Sequence, residues 1–373
     1  MNPGAEGHDR GFAALLSIAA AIERRQAWDL TLALRSVPQV ALLRTAARHR
    51  CLGYIRRHLL ELGVRDEPAR ALIDALREYA AKAAMQAYAT RSQLAAIMEV
   101  LTRAGVPFAL LKGAARLARG DKEADCNTMY DLDMLVAKEH AHAALEALEQ
   151  AGYRPDGIFT ADRYLAKHHH LIPLAAPGPG LSVELHTQLA PRGMLSMPTD
   201  WAACSPHLEQ IEGGAALALD PLWTAAHLAI HGAGLRRLHD VIMLARMLRA
   251  DPGLQDRLLE LLTQERWQPV ALQAVVALAA RVAGIPAVVS PDVDRYLAWV
   301  IRREDLAPYV RDRSQFVDAW YANRGSLFGA ATRLALPEGD PGDAALVATV
   351  RFAYRLCGRI ITSAIAAATP VRA

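Results

Sequence analysis

Residues 131–136, Asp-Leu-Asp-Met-Leu-Val, set two carboxylates two positions apart in an otherwise apolar run. In a strand, residues two apart point to one face, so Asp131 and Asp133 project together while Leu132, Met134 and Val136 face away. A bare carboxylate pair among apolar neighbours is costly to bury unless a cation meets it. Two carboxylates at this spacing suit Mg2+ (or Mn2+), a hard ion that takes oxygen ligands and keeps substrate phosphates among them. The segment therefore asks for a strand at a polar site, in a chain whose remainder is built differently.

That remainder reads as helix. The 373 residues are 53% hydrophobic but only 6% aromatic, and they are rich in Ala and Leu, the strongest helix formers. Residues 10 to about 104 carry apolar residues at helical spacing, with Phe12, Leu15, Leu16 and Ile18 opening the first helix. Pro38 and the Gly63–Pro68 region punctuate the later ones. From Pro221 the pattern resumes: a long helix over Leu222–Leu248, further helices over Leu258–Val282 and Val293–Arg303, and a last one over about Ala344–Ala368. Arg351, Arg355 and Arg359 stripe that last helix; a solvated face is expected, with a nucleotide or RNA phosphate contact as the alternative. The same pair of readings applies to Arg44, Arg48, Arg50, Arg56 and Arg57.

The texture changes between Gly105 and about residue 190. Val106–Leu111 is an apolar run ending at Lys112-Gly113, and Ala114–Ala118 opens a helix. Lys138–Gln150 reads as another helix, and Tyr153-Arg154-Pro155 as a weak edge strand. Ala176-Pro177-Gly178-Pro179-Gly180 separates the apolar segments 169–174 and 181–186, which predicts a hairpin. Glu184 lies in the second of these, between Val183 and Leu185, with Ser182 and His186 on its own face. An Asp pair on one strand and a single acid on a neighbour can serve a two-metal phosphoryl-transfer site. Gly113, between strand and helix, lets a phosphate approach backbone N–H groups, and Lys112 adds a point charge.

Leu110-Leu111-Lys112-Gly113-Ala114-Ala115, Asp131–Val136 and Val183-Glu184-Leu185-His186 together resemble the nucleotidyltransferase superfamily with the DNA polymerase β-type fold. More narrowly, they resemble a bacterial family of uncharacterised nucleotidyltransferases. The helix carrying His227, His231 and Asp240, and the helical region leading into Leu-Lys-Gly, are similar to that family too. The resemblance implies that Asp131 and Asp133 bind metal, that Glu184 is the third catalytic acid, and that Lys112, Gly113 and Ala114 hold the nucleotide phosphates. Ala114 replaces the superfamily's usual Ser, and residues 125–129 contain no Arg where the family tends to carry one.

The expected fold class is α+β: a small mixed-sheet nucleotidyltransferase core over 105–200, flanked by an N-terminal helical region (1–104) and a C-terminal helical domain (201–373). The expected reaction is Mg-dependent transfer of a nucleoside monophosphate from an NTP, with ATP as the expected nucleotide, to an acceptor, releasing pyrophosphate. A small molecule, a peptide or protein, or an RNA end could each be that acceptor, and oligomeric state is not legible. A catalytically silent nucleotide-binding or regulatory module is one alternative. Another is an HD-like metal phosphohydrolase using His227, His231, His239 and Asp240. His227 and His231 share a helix face, but no Glu follows His227, which excludes the zinc-protease motif. His186, His231 and Asp240 are candidate cleft-lining residues; His168–His170 are expected at the surface, with one of them facing the cleft as the alternative.

Lys plus Arg number 42 and Asp plus Glu 39, too even to mark a nucleic-acid binder by charge. The scattered Cys51, Cys126, Cys204 and Cys357 form no zinc motif or disulfide framework, so a reducing, cytoplasmic setting is expected. The apolar run after Asp9 lacks a basic leader and reads as an amphipathic helix, not a signal peptide. No stretch of about 18 uncharged apolar residues suggests a membrane span.

Overall fold

A computed structural model describes residues 11–306, apart from 127, 157–167, 191–197, 212–215, 233–236, 264–268 and 288. The last expected helix and its arginine stripe lie outside the described residues. Helices α1 (Gly11–Glu23), α2 (Ala27–Arg35), α3 (Gln39–Arg48), α4 (Leu52–Glu61) and α5 (Glu67–Ala75) lead into the long α6 (Arg77–Arg103). Local chemistry sets several of these boundaries. Pro38 is the N-cap of α3. Asp66 caps α5 by accepting from the Ala69 N–H at 3.3 Å, with Pro68 in the first turn, where its missing N–H costs nothing. Leu76 stands between α5 and α6, closing the first and preceding the second.

The sheet follows: β1 (Phe108–Leu110), α7 (Lys112–Ala118), β2 (Asp131–Val136), α8 (Ala141–Gln150), β3 (Arg154–Pro155), β4 (Leu174–Ala175) and β5 (Ser182–His186). After the short α9 (Trp201–Cys204) come β6 (Leu208–Gln210) and β7 (Leu217–Leu219). Among the described residues these form a mixed seven-stranded sheet, ordered β3-β4-β5-β2-β1-β7-β6. The β2–β5 and β1–β7 pairs are parallel and the others antiparallel. The α+β expectation holds. The hairpin forms as β4–β5, with Leu174 opposite Val183, and Arg154–Pro155 is the edge strand. Strand β4 is shorter than the 169–174 run, because Pro173 has no N–H to give a ladder. Upstream of it only an isolated His170–His186 bridge remains. The β6–β7 pair is an addition to the expected sheet.

Helices α10 (Pro221–Gly232), α11 (Leu238–Ala250), α12 (Leu254–Thr263), α13 (Pro269–Ala283) and α14 (Pro291–Leu306) complete the described chain. The single helix expected over Leu222–Leu248 is thus two helices. Gly232 ends the first of them, and Gly disfavours helix by about 1 kcal/mol.

Among the described residues there are two large apolar cores and a smaller third, in which Ala109, Leu111, Leu135, Leu219 and Trp223 pack together. One large core lies under the sheet, where Leu94, Ile97 and Leu101 of α6 pack with Leu132, Met134 and Val136 of β2 and Val183 and Leu185 of β5. The other joins the helices from both ends of the chain, with Phe12, Leu15 and Ile18 packing among Val241, Leu244, Val275 and Leu297. The expected amphipathic first helix is buried around most of its circumference and sits in the middle of this core.

Three helices meet at Glu23, the last residue of α1, which is 3% exposed. Its carboxylate accepts from the Tyr54 hydroxyl at 2.8 Å, from Arg246 Nε at 2.8 Å and from an Arg249 guanidinium nitrogen at 2.7 Å. Arg246 also pairs with Glu123, in the loop that leads to β2. The same loop rests on α4, where a methyl group added at Gly53 would overlap the Cys126 carbonyl. Gly53→Ala is expected to destabilise the protein by about 1–3 kcal/mol through overpacking, despite the better helix propensity of Ala. Urea unfolding of the variant measures this.

Candidate functional site

Strands β2 and β5 run parallel with Asp131 opposite Ser182, Asp133 opposite Glu184 and Leu135 opposite His186. Leu132, Met134 and Val136 of β2 and Val183 and Leu185 of β5 go to the core under the sheet, so Asp131, Asp133 and Glu184 share the other face, where Leu135 joins a smaller apolar cluster. Two glutamines of α6 fix the strand entries. Gln86 brackets Met129, donating to its carbonyl at 2.8 Å and accepting from its N–H at 3.1 Å. Gln93 brackets Leu181 in the same way, at 2.7 and 2.9 Å. One helix thereby holds the starts of β2 and β5 together.

Asp133, 3% exposed, meets two nitrogen donors on a single oxygen. Lys112 Nζ stands 2.9 Å and His186 Nε2 2.8 Å from its Oδ1, and His186 Nε2 lies 3.6 Å from Glu184 Oε2. Burial opposes ionisation of Asp133, but the Lys112 charge and the His186 hydrogen bond win and hold its carboxyl well below the usual range. Burial, then the charge of Asp133, pushes Asp131 up. Burial would lower His186, but hydrogen bonds to Asp133 and Glu184 raise it. Lys112 and His186 thus occupy the flank of Asp133 where a divalent ion would bind.

One ligand atom from each of Asp133, Glu184 and His186 lies within 4.8 Å of the others. Two carboxylates and an imidazole are a fitting donor set for a divalent cation. Asp131 is outside this cluster and, among the described residues, its carboxylate takes no hydrogen bond or ion pair. Lys112 opens α7 with a φ of 43°, a left-handed conformation rare for a side-chain-bearing residue. Gly113 has a packing reason as well: a Cβ there would lie 2.5 Å from the Met129 methyl. Ala114 is fully buried in the core under the sheet.

The family model for uncharacterised nucleotidyltransferases matches residues 36–284, about two thirds of the 373-residue chain. The chain belongs to that family. No curated protein and no solved structure matches it with significance.

Among the described residues the helical histidines do not complete a metal site of their own. His227 and His231 are stacked edge to face on α10, their rings 4.6 Å apart. Burial and the Lys112 charge push His227 down to about 3 and His231 well below its ordinary value, so both are neutral. The Nε2 atom of each is buried without a partner. Asp240 sits on α11, past the break, with its Oδ1 3.8 Å from His239 Nδ1. Among the described residues the His227–His231–His239–Asp240 set required by the phosphohydrolase alternative does not come within mutual ligand distance. His169 and His170 both approach His186, with ring centroids 5.1 and 5.3 Å away. They follow no strand alternation because the segment carries no regular strand.

The basic cluster of the N-terminal helices does not form one face. Arg56 bonds the Ile73 carbonyl, and Arg57 bonds Glu61 and the Lys122 carbonyl. Arg50 instead reaches the acid cluster, its guanidinium 4.3 Å from the centre of the Tyr130 ring. The position of Arg50 and the roles of Gln86 and Gln93 had no signal in the sequence beyond residue type. Among the described residues no helix is long and apolar enough to cross a membrane.

Proposed function

We propose that the protein transfers a nucleoside monophosphate from an NTP, ATP first among them, to an acceptor hydroxyl with release of pyrophosphate, using Mg2+ or Mn2+. The observation that carries this reading is Asp133 facing Glu184 across parallel strands, with Asp131 on the same face. Asp131, Asp133 and Glu184 would hold the cation, with His186 completing the donor set. When bound, the cation would neutralise charge on the triphosphate and favour the acceptor oxyanion. Lys112, relieved of its bond to Asp133, would meet a phosphate oxygen, and the first backbone N–H groups of α7, at Gly113 and Ala114, would face the same anion. Glu184 would alternatively take the acceptor proton as the oxygen bonds to the α-phosphorus and the bond to pyrophosphate breaks. His231 and Asp240 would line the cleft. The catalytic core would be the 105–200 segment, extended by β6 and β7, with helical regions before and after it. The free thiols of Cys51, Cys126 and Cys204 fit a reducing compartment, and we place the reaction in the cytoplasm.

Isothermal titration with Mg-ATP tests the reading directly. The parent should bind, and the Asp131→Ala/Asp133→Ala double variant should not. Binding that survives loss of both carboxylates sinks the proposal. Binding without pyrophosphate release, when a cell extract is supplied as the acceptor source, would favour a silent nucleotide-binding module instead.

A further inference from the structure

We propose that Arg50 and Arg237 form a guanidinium pair that binds a polyphosphate beside Asp131. Arg50 lies between α3 and α4, outside the strands that carry the acids. Its backbone is held at a φ of 57°, and its guanidinium lies over the ring of Tyr130, the residue that precedes Asp131. Left-handed backbone at a non-glycine residue costs about 1 kcal/mol or more and persists where the surroundings impose it. Arg50 and Lys112, which both carry a cation to the acid cluster, are in this state.

Arg237 is brought to Arg50 by the backbone. His49, the neighbour of Arg50, accepts from the Leu238 N–H through Nδ1 at 3.3 Å and from the His239 N–H through its carbonyl at 3.3 Å. Arg237 immediately precedes this junction, so the two arginines flank it. Both are partly buried. Burial, then the charge of Arg237, disfavours the cationic form of Arg50, while Asp131 and Asp240 favour it to a smaller extent. Among the described residues no carboxylate forms an ion pair or hydrogen bond with either guanidinium.

Two like charges held together, half out of water and without a bonded anion, form an incomplete arrangement. The guanidinium fork matches phosphate oxygens in pairs and suits a ligand with several of them. The position beside Asp131 makes that ligand the polyphosphate tail of the nucleotide, carried past the cation site. The identity of the tail rests on the nucleotidyl-transfer reading; the anion site does not.

The test is calorimetric titration of the whole protein with inorganic pyrophosphate in EDTA, alongside Mg-ATP and Mg-AMP. Arg50→Gln and Arg237→Gln should each weaken pyrophosphate and Mg-ATP by about tenfold or more, and Mg-AMP by no more than about twofold. Arg50→Lys should recover part of the affinity, because a point charge replaces the fork. Mn2+ affinity, followed by electron paramagnetic resonance, should stay within about twofold in every variant, which shows that the fold and the acid cluster are intact. Pyrophosphate binding that is absent from the parent, or unchanged in both Gln variants, overturns the proposal. Equal losses for AMP and ATP also overturn it, since the pair would then serve a single phosphate. If the parent binds pyrophosphate through Arg50 but never binds Mg-ATP, the nucleotidyl-transfer reading fails and the anion site stands. If Mg-ATP binding needs Asp131 and Asp133 but neither arginine, only the present inference fails.

Discussion

On the proposed reading, Asp133→Ala should cut pyrophosphate release by on the order of 10³-fold, because the cation that neutralises the transferring phosphates would lose the most buried of its carboxylate ligands. Glu184 and His186 alone would leave one carboxylate and one imidazole in the cluster. The cost in stability should be smaller than the functional loss suggests. Lys112 keeps some access to solvent, with its side chain 20% exposed. His186 is fully buried, yet it can shed its proton once Asp133 is gone and so avoid a stranded charge. About 1–3 kcal/mol of destabilisation is expected, the range for buried polar groups that lose a partner. Asp133→Asn keeps the shape and removes the charge; it should lose turnover almost as fully with a smaller change in stability. Pyrophosphate assays and urea unfolding on both variants separate the two effects. Turnover retained by Asp133→Asn would mean that the carboxylate does not hold the catalytic cation.

The second large effect is structural. Glu23→Gln leaves Arg246 and Arg249 facing a neutral amide in the core that joins the two ends of the chain. Removing one partner from a buried ion pair costs about 3–5 kcal/mol. The lower end applies here, because Arg246 keeps Glu123 and Arg249 is 43% exposed. The effect should depend on pH. Burial opposes the Glu23 charge, but the bonds from Arg246 and Tyr54 prevail and its carboxyl titrates below the usual range. A carboxylate lowered by folding stabilises fully above its unfolded pKa, about 4.3, and progressively less as pH falls through its folded value. The stability gap between parent and Glu23→Gln should therefore be constant near neutrality and shrink in acid. A gap that widened on acidification would show that the network does not stabilise the charged form.

The strand with the acid pair and the hairpin after it were legible because their signals are local: alternation within six residues, and a Pro/Gly cluster between apolar segments. The register that sets Asp133 against Glu184 was not, since parallel pairing is decided by long-range packing on α6 and not by a turn. The break before Asp240 could have been read from Gly232 and Gly234, but the apolar stripe continues on both sides and masks it. Gly213 and Gly214, between two short apolar segments, are a turn signal of the same kind for β6 and β7. His186 was readable as sharing a face with Glu184; its hydrogen bond to Asp133 depends on the neighbouring strand. Arg50 belonged to a basic cluster whose members looked equivalent. Only tertiary contacts distinguish the one over Tyr130 from those that tie helices and loops together.

The core shared by α1–α5 and α10–α14 bears on how the chain is made. Phe12, Leu15 and Ile18 leave the ribosome long before Val241, Val275 and Leu297, the residues that cover them. At about 5–20 residues per second the delay is on the order of ten seconds or more. During that interval the early helices carry uncovered apolar faces while the intervening sheet can already consolidate. Synthesis of this protein thus creates a window in which a chaperone that recognises apolar helices has something to hold.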